Sequence, residues 1–399
     1  MPRPIIPAFF DLNQDVAGPI PTDLIQAWVE SDGGLATHDA LLKPYERHGI
    51  IACSDSTGLS KLSQGKSLIE VMKLVNDPKE IIHAHGKAIG GQAMGVWAAD
   101  NTQMFYDATT PSEDVVTHMI AAQRRIASCA VQVGIGLHKA HVYEIGGGLY
   151  GDEADEIEEF TEEESKAGEV IVSETIHAEL PEHLKLSERR GENHVLQHTD
   201  FPTVAAMSKD VFYPAPFDRS FHVSLRTLDM HDAAAVHALH TARVRETTIV
   251  LFRVFQKPAD SLLNTLVNNV AANALMHNAL RNYKCTIIKA DGRLGIISCE
   301  SKVEALEAAL SLRQAALDNG LLANVGVCSG EVLIFTLDRG GFDIAGNPVN
   351  IASKLAEDTP DRGVIFLEQS VAEHGVLHGI TTPFELTRSG VTISGVRTS

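Results

Sequence analysis

Apolar residues recur at helical spacing through "SLIEVMKLVNDPKEIIHAH" (67–85), "SEDVVTHMIAAQRRIASCA" (112–130) and "KVEALEAALSLRQAALDNG" (302–320). That period predicts helices with one buried face. Two short apolar runs, "GIIACSDS" (49–56) and "TTIVLFRVF" (247–255), have strand length and composition instead. "AMGVWAADNTQMFY" (93–106) reads as strand and turn. Between a helix and that strand lies "HGKAIGGQAMG" (85–95), glycine-rich with one lysine, Lys87. A phosphate-cradling loop needs a strand before it, a helix after it and a terminal GK[ST]. Here the order is reversed, so Lys87 is expected on a β-turn between strands.

The pattern of the first half returns in the second. "KAIGGQAMGV" from Lys87 matches "KADGRLGI" from Lys289. "GLHKAHV" matches "GVCSGEV", "YGDEAD" matches "AGNPVN", and "EVIVSE" matches "GVIFLE". Four matches in one order at nearly constant offset indicate one module written twice. Residues 46–185 and 245–399 are read as the two copies, 186–244 as a linker region and 1–45 as an N-terminal segment. That segment has one amphipathic helix, "PTDLIQAWVES", expected to act as a strut. Alternating helices and strands imply an α/β class with helices on one face of each sheet.

Charge and composition narrow the partners. The 399 residues carry a formal net charge of -19, which repels phosphate backbones and anionic lipid and argues against nucleic acid and membrane surfaces. No run approaches the ~18 apolar residues of a membrane span, and the start "MPRPIIPAFFDLNQD" is too proline-rich for a signal peptide. Five cysteines show no CxxC pair and no His/Cys ligand spacing, so neither zinc nor a disulfide framework is expected, and a cytoplasmic location fits.

Both copies resemble class III nucleotidyl cyclases. "CSDSTGLSKLS" is similar to that family's F-A-D-I-x-G-F-T-x-L, "GKAIGG" to its K-x-I-G-D, and "FDIAGNPVNIASKL" to its Y-D-I-x-G-x-x-V-N-x-A-S-R, the most specific of the three. The resemblance implies two ferredoxin-like cyclase domains in tandem, packed as an intramolecular pseudo-heterodimer. It implies a site with metal ligands from one domain and base-reading residues from the other. Carried over by position, Asp55 is a metal aspartate and Gly91 stands in place of the second. Ser56, Thr57 and Gly58 line phosphates, and His141 replaces a phosphate-contacting arginine. Lys289 and Asp343 read adenine, Asn350 orients the ribose, and Lys354 stands where an arginine stabilises the transition state. In the opposite, pseudo-symmetric site Arg253 and Arg293 take the metal positions, and Gly148, Asp155 and Glu159 replace the base- and phosphate-side residues. Carboxylates of "GDEADEIEEFTEEE" would repel a triphosphate there.

Cyclisation needs two metals ~3.5 to 4 Å apart. With one aspartate missing, Mg²⁺ or Mn²⁺ is expected to bind weakly, and Lys354 lacks the planar fork that spans two phosphoryl oxygens. The expected function is therefore ATP binding at the interdomain cleft with weak or no cyclase activity, that is, a pseudoenzyme. The alternatives are an active adenylyl cyclase and a scaffold that uses the fold for protein contacts, with a protein partner left open.

Overall fold

The computed structural model describes residues 12–57, 62, 65–94, 101–205, 207, 219–256, 259–336, 342–373, 381–388 and 391–398. The chain divides into two units: Leu42–His237, and Met1–Leu41 together with Ala238–Ser399.

The Leu42–His237 unit is built on β1 (Glu46–Thr57), β2 (Gln92–Ala93), β3 (Thr102–Asp107), β4 (Gln132–Ile145), β5 (Gly148–Tyr150), β6 (Val170–Val172), β7 (Ser187–Arg190) and β8 (Asn193–Leu196). Its sheet runs β2-β3-β1-β4-β6-β8-β7, with β5 on β4. The other unit has β9 (Val244–Phe255), β10 (Cys285–Ala290), β11 (Leu294–Cys299), β12 (Leu322–Thr336), β13 (Phe342–Ala345), β14 (Ile365–Glu368), β15 (Thr381–Arg388) and β16 (Val391–Thr398). There the order is β10-β11-β9-β12-β14-β16-β15, with β13 on β12. The two orders are the same, strand for strand. In each, one pair is parallel, β4 with β6 and β12 with β14. The internal repeat is thus a repeat of a whole α/β sheet.

Helices cover both faces of each sheet, where the sequence predicted one. Along β9, Val250, Phe252 and Val254 pack with Leu275, Met276, Leu306 and Leu312 of helices Leu262–Leu280 and Lys302–Asp318. Ile249 and Leu251 point the other way, toward Ala352 and Ala356 of helix Asn347–Glu357. Period-2 alternation makes this unavoidable: an unbroken apolar run such as "TTIVLF" loads both faces. Each fully buried Phe or Leu contributes about 1.5–3 kcal/mol. In the first unit Ile51, Phe105 and Val142 pack similarly with Ile157 and Phe160 of helix Asp152–Glu164.

Two glycines at matching places permit close strand-to-helix contacts. A Cβ at Gly136 would lie 2.0 Å from Thr161 Oγ1, and one at Gly326 would lie 2.1 Å from the Ala352 carbonyl oxygen. They hold matching places in β4 and β12, which is why "GLHKAHV" and "GVCSGEV" align.

The region read as a linker contributes to the first unit. β7 and β8 complete its sheet, and helix Arg219–Thr227 buries Phe221 and Leu225, with the Leu225 and Arg226 carbonyls accepting from Lys73 Nζ at 2.8 and 3.1 Å. Short strands of mixed polarity such as "SERR" carry too little periodicity to be recognised. The N-terminal helix Thr22–Glu30 buries Leu24, Ile25 and Trp28. Trp28 Nε1 donates to Asn264 Oδ1 at 3.0 Å, and Asn273 Nδ2 donates to the Val16 carbonyl at 3.1 Å. This segment therefore belongs with the second copy, as a strut on helix Leu262–Leu280.

Cysteine usage also differs from expectation. Cys285 and Cys299 sit directly opposite on β10 and β11 and form a disulfide. A cross-strand pair is set by register, which a separation of 14 residues does not reveal. No described helix is long and apolar enough to cross a membrane.

Candidate functional site

The base-side set is gathered on neighbouring elements of one unit. Lys289 lies on β10 opposite Ile296, just past a bulge. Asp343 is buried on β13 opposite Phe335, and its Oδ1 accepts from the Ile344 amide at 2.8 Å. β10 and β13 are in contact. From β13 the chain turns through Gly346, at φ 148°, into helix Asn347–Glu357. A Cβ on Gly346 would meet the Glu331 carbonyl at 2.7 Å, so this junction needs glycine. Asn350 and Lys354 follow on that helix one turn apart, hence on one face, Asn350 exposed and Lys354 half-buried. An open groove of about 620 Å³ runs beside this set. Its walls include Ile288 and Phe342, the neighbours of Lys289 and Asp343, rather than those two residues themselves.

Asp55, Ser56 and His141 belong to the other unit. Asp55 and Ser56 are half-buried near the end of β1, opposite Gly134 and Val133 of β4. Thr57 ends that strand, and Gly58 lies outside the described residues. His141 sits on β4 directly across from His48, its ring stacked on the His48 ring at 4.4 Å, and its Nε2 is 2.8 Å from Glu46 Oε1.

Strand register corrects two assignments. Helix Leu68–Lys87 is capped by Ser67 and Glu70 in a capping box and runs through Pro78, so Lys87 ends a helix rather than occupying a turn between strands. Lys289 faces Ile296, whose counterpart in the first unit is Gln103. The Gln103 carbonyl accepts from the Met94 amide, so Met94, not Lys87, corresponds to Lys289. Likewise Ser54 pairs with Thr102, and its counterpart Phe252 with Gly295. Counted two residues back in sequence from this matched pair, Arg293 falls level with position 100 and not with Gly91. That position is an aspartate, Asp100, and lies outside the described residues.

Gly91 has a packing role: a Cβ there would come within 2.5 Å of the Tyr106 ring and 2.9 Å of the Gly86 carbonyl oxygen. The glycine and lysine of "GKAIGG" imitate the hairpin motif while lying ahead of β2. The stretch between β2 and β3, "GVWAADN" in sequence, has no lysine, and its residues 95–100 lie outside the described residues.

The pseudo-symmetric positions follow the same register. Gly148 pairs with Ile145 as Asp343 pairs with Phe335. Gly151, at φ 124°, leads into helix Asp152–Glu164 as Gly346 leads into its own helix. Asp155 and Glu159 then occupy the places of Asn350 and Lys354, which puts carboxylates where the other unit carries an amide and a cation.

No family model and no curated protein matches the sequence. Among solved structures, the chain resembles a class III adenylyl cyclase-like ATP-binding protein from Pseudomonas aeruginosa, with TM-score 0.54 and 9% identity, covering 82% of this chain and 85% of that one. Also similar are the adenylyl cyclase CyaB from P. aeruginosa (TM-score 0.33, 12% identity, 41% of this chain and 98% of that one) and the monomeric guanylyl cyclase domain of the RhoGC fusion protein from the aquatic fungus Blastocladiella emersonii (TM-score 0.34, 18% identity, 38% and 95%). Two sheets of identical strand order and this likeness over most of the chain give the protein the tandem class III adenylyl cyclase-like fold.

Proposed function

We propose that the protein binds ATP, reading the base with Lys289 and Asp343, and turns it over slowly. The observation that carries this reading is the run from buried Asp343 through Gly346 to Asn350 and Lys354, beside the strand of Lys289. A lysine can donate to adenine N1 and an aspartate can accept from the exocyclic amine, whereas guanine presents the reverse at both atoms. Asn350 would then hold the ribose and Lys354 the phosphates. The likeness to an adenylyl cyclase-like ATP-binding protein supports the same ligand class.

In the proposal Asp55, Ser56, Thr57 and Gly58 act on nucleotide phosphates, whereas His141, seven residues along β4 from the Gly134 that faces Asp55 and so roughly 23 Å away, takes no part. A divalent ion, Mg²⁺ or Mn²⁺, fits beside Asp55: Asn101, next to β3, has a buried Oδ1 with no hydrogen-bond partner. When bound, such an ion would lower the pKa of the ribose 3′-hydroxyl and neutralise departing pyrophosphate. Slow turnover then rests on Lys354, which keeps a charge but cannot clamp two oxygens.

A second reading, an active adenylyl cyclase, is favoured by the register count that puts an aspartate at position 100. One experiment separates the readings: ATP and GTP affinity by calorimetry, with cyclic AMP formation in Mn²⁺ for the parent, Asp55→Ala and Asp100→Ala. ATP binding at least about tenfold tighter than GTP, or 1.4 kcal/mol, with trace turnover, supports slow binding chemistry. Robust turnover abolished by both alanines makes the chain an active cyclase. Equal affinity for the two nucleotides shows that Lys289 and Asp343 do not read the base, and no affinity for either overturns the nucleotide reading in favour of a scaffold.

A further inference from the structure

The Leu42–His237 unit carries a histidine-carboxylate cluster that the nucleotide reading does not explain. Glu46 and His48 are two apart on β1, so both side chains project from the same sheet face. His141 of β4 stands directly across from His48, and cross-strand neighbours on one face lie side by side. Three ligating side chains therefore meet through backbone register alone. His141 Nε2 is 2.8 Å and His48 Nε2 3.5 Å from the same atom, Glu46 Oε1. The three ligating atoms all lie within 4.8 Å of one another.

The geometry points to a divalent transition-metal site formed by Glu46, His48 and His141. With metal-ligand bonds of about 2.0–2.2 Å, adjacent ligands around an octahedral or tetrahedral ion stand about 3.0–3.4 Å apart. The two carboxylate-to-ring separations bracket that range, and the stacked, exposed rings, 9° from parallel, have to tilt toward one another to close on an ion. Imidazole with one carboxylate suits Zn²⁺, Co²⁺, Ni²⁺ or Cu²⁺ rather than Mg²⁺ or Ca²⁺, which prefer oxygen.

The surroundings supply orientation. Lys43 holds the other oxygen, Oε2, leaving Oε1 turned to the histidines. Glu153 accepts a hydrogen bond from the His141 backbone amide and so fixes the strand at that position. The exposed rings leave the remaining coordination positions to water.

A similar triad, Glu174, His177 and His194, is a weaker host because its own protein saturates it. His177 Nε2 is bonded to the Lys185 carbonyl at 3.1 Å, and Ser187 Oγ lies 3.1 Å from that nitrogen and 3.3 Å from His194 Nδ1. In the Glu46 cluster both Nε2 atoms face the carboxylate that would share the ion.

The test is a Co²⁺ titration of the untagged, chelator-stripped full chain without nucleotide, followed by visible absorption and by competition with Zn²⁺. The expected result is one Co²⁺ per chain, displaced by Zn²⁺ and unchanged in His177→Ala/His194→Ala. Glu46→Gln should weaken binding about 10- to 100-fold, and His48→Ala/His141→Ala should remove it. The metal-free variants should melt with the parent, and the milder His48→Asn gives the same readout if the double variant does not fold. No saturable Co²⁺ band would overturn the proposal, as would affinity indifferent to the His48 and His141 changes or lost with His177 and His194. Omitting nucleotide keeps the outcome separate from the ATP reading.

Discussion

Introducing an aspartate at Gly91 distinguishes the motif alignment from the strand register. If Gly91 stands in a metal-ligand position, Gly91→Asp supplies the second carboxylate and raises Mn²⁺-dependent cyclic AMP formation. If position 100 holds that role, the change only crowds a packed corner. Gly91 is buried, and the Tyr106 ring that a Cβ would approach to 2.5 Å is itself fully buried. Ordinary contact begins near 3.4 Å, so ring or strand must shift by almost 1 Å while the Gly86 carbonyl blocks retreat. Overpacking of that kind costs about 1–3 kcal/mol, and a buried carboxylate adds roughly 1–3 kcal/mol more. Gly91→Ala isolates the steric part. At about 2–4 °C per kcal/mol for a unit of this size, alanine should lower its melting temperature by about 2–12 °C and aspartate by more. Differential scanning calorimetry with a cyclic AMP assay reads both quantities. A Gly91→Asp protein that melts with the parent and gains activity would refute the register argument.

Three other outcomes are expected. Lys354→Arg restores a bidentate fork and should raise cyclic AMP formation by roughly 10²-fold without changing ATP affinity more than severalfold; single-turnover rates check it. His85 is fully buried with both ring nitrogens lacking hydrogen-bond partners, and burial, then Arg125 and His118, lowers its pKa to about 4. The unfolded chain then binds the extra proton between about pH 6.5 and pH 4, so stability should fall as pH falls through that window. Urea midpoints at pH 7 and pH 5 should separate less in His85→Leu than in the parent. Reducing the Cys285–Cys299 bond, or replacing both residues by serine, should cost the second-copy unit about 2–3 kcal/mol, as expected for a closed loop of about 14 residues. Equal denaturation midpoints with and without reductant would contradict this.

The long helices and the duplicated order were legible because each rests on a local period, as in "KVEALEAALSLRQAAL", or on several weak matches in series. The base-side set was legible because Asp343, Gly346, Asn350 and Lys354 are close along the chain and their spacing is fixed by one turn and one helix. Register was not legible. The place of Lys87, the counterpart of Arg293 and the Cys285–Cys299 bond all depend on which residue lies opposite which, and a two-residue slip keeps every side chain of a short strand on its own face, so alternation alone does not fix it. The Glu46, His48 and His141 cluster was hidden for the same reason. Its i,i+2 pair is ordinary in sequence, and the third member arrives from across the sheet.

The N-terminal helix that packs on Leu262–Leu280 makes one unit a guest within the other: chain 42–237 interrupts its host. At synthesis rates of about 5–20 residues per second, Trp28 leaves the ribosome on the order of ten to fifty seconds before Asn264, its hydrogen-bond partner. Meanwhile the inserted unit, whose eight strands are all encoded consecutively, can complete its sheet. The apolar face of Leu24, Ile25 and Trp28 must wait uncovered through that interval, which makes it the natural hold for a chaperone and the segment whose early burial would set the yield of folded protein.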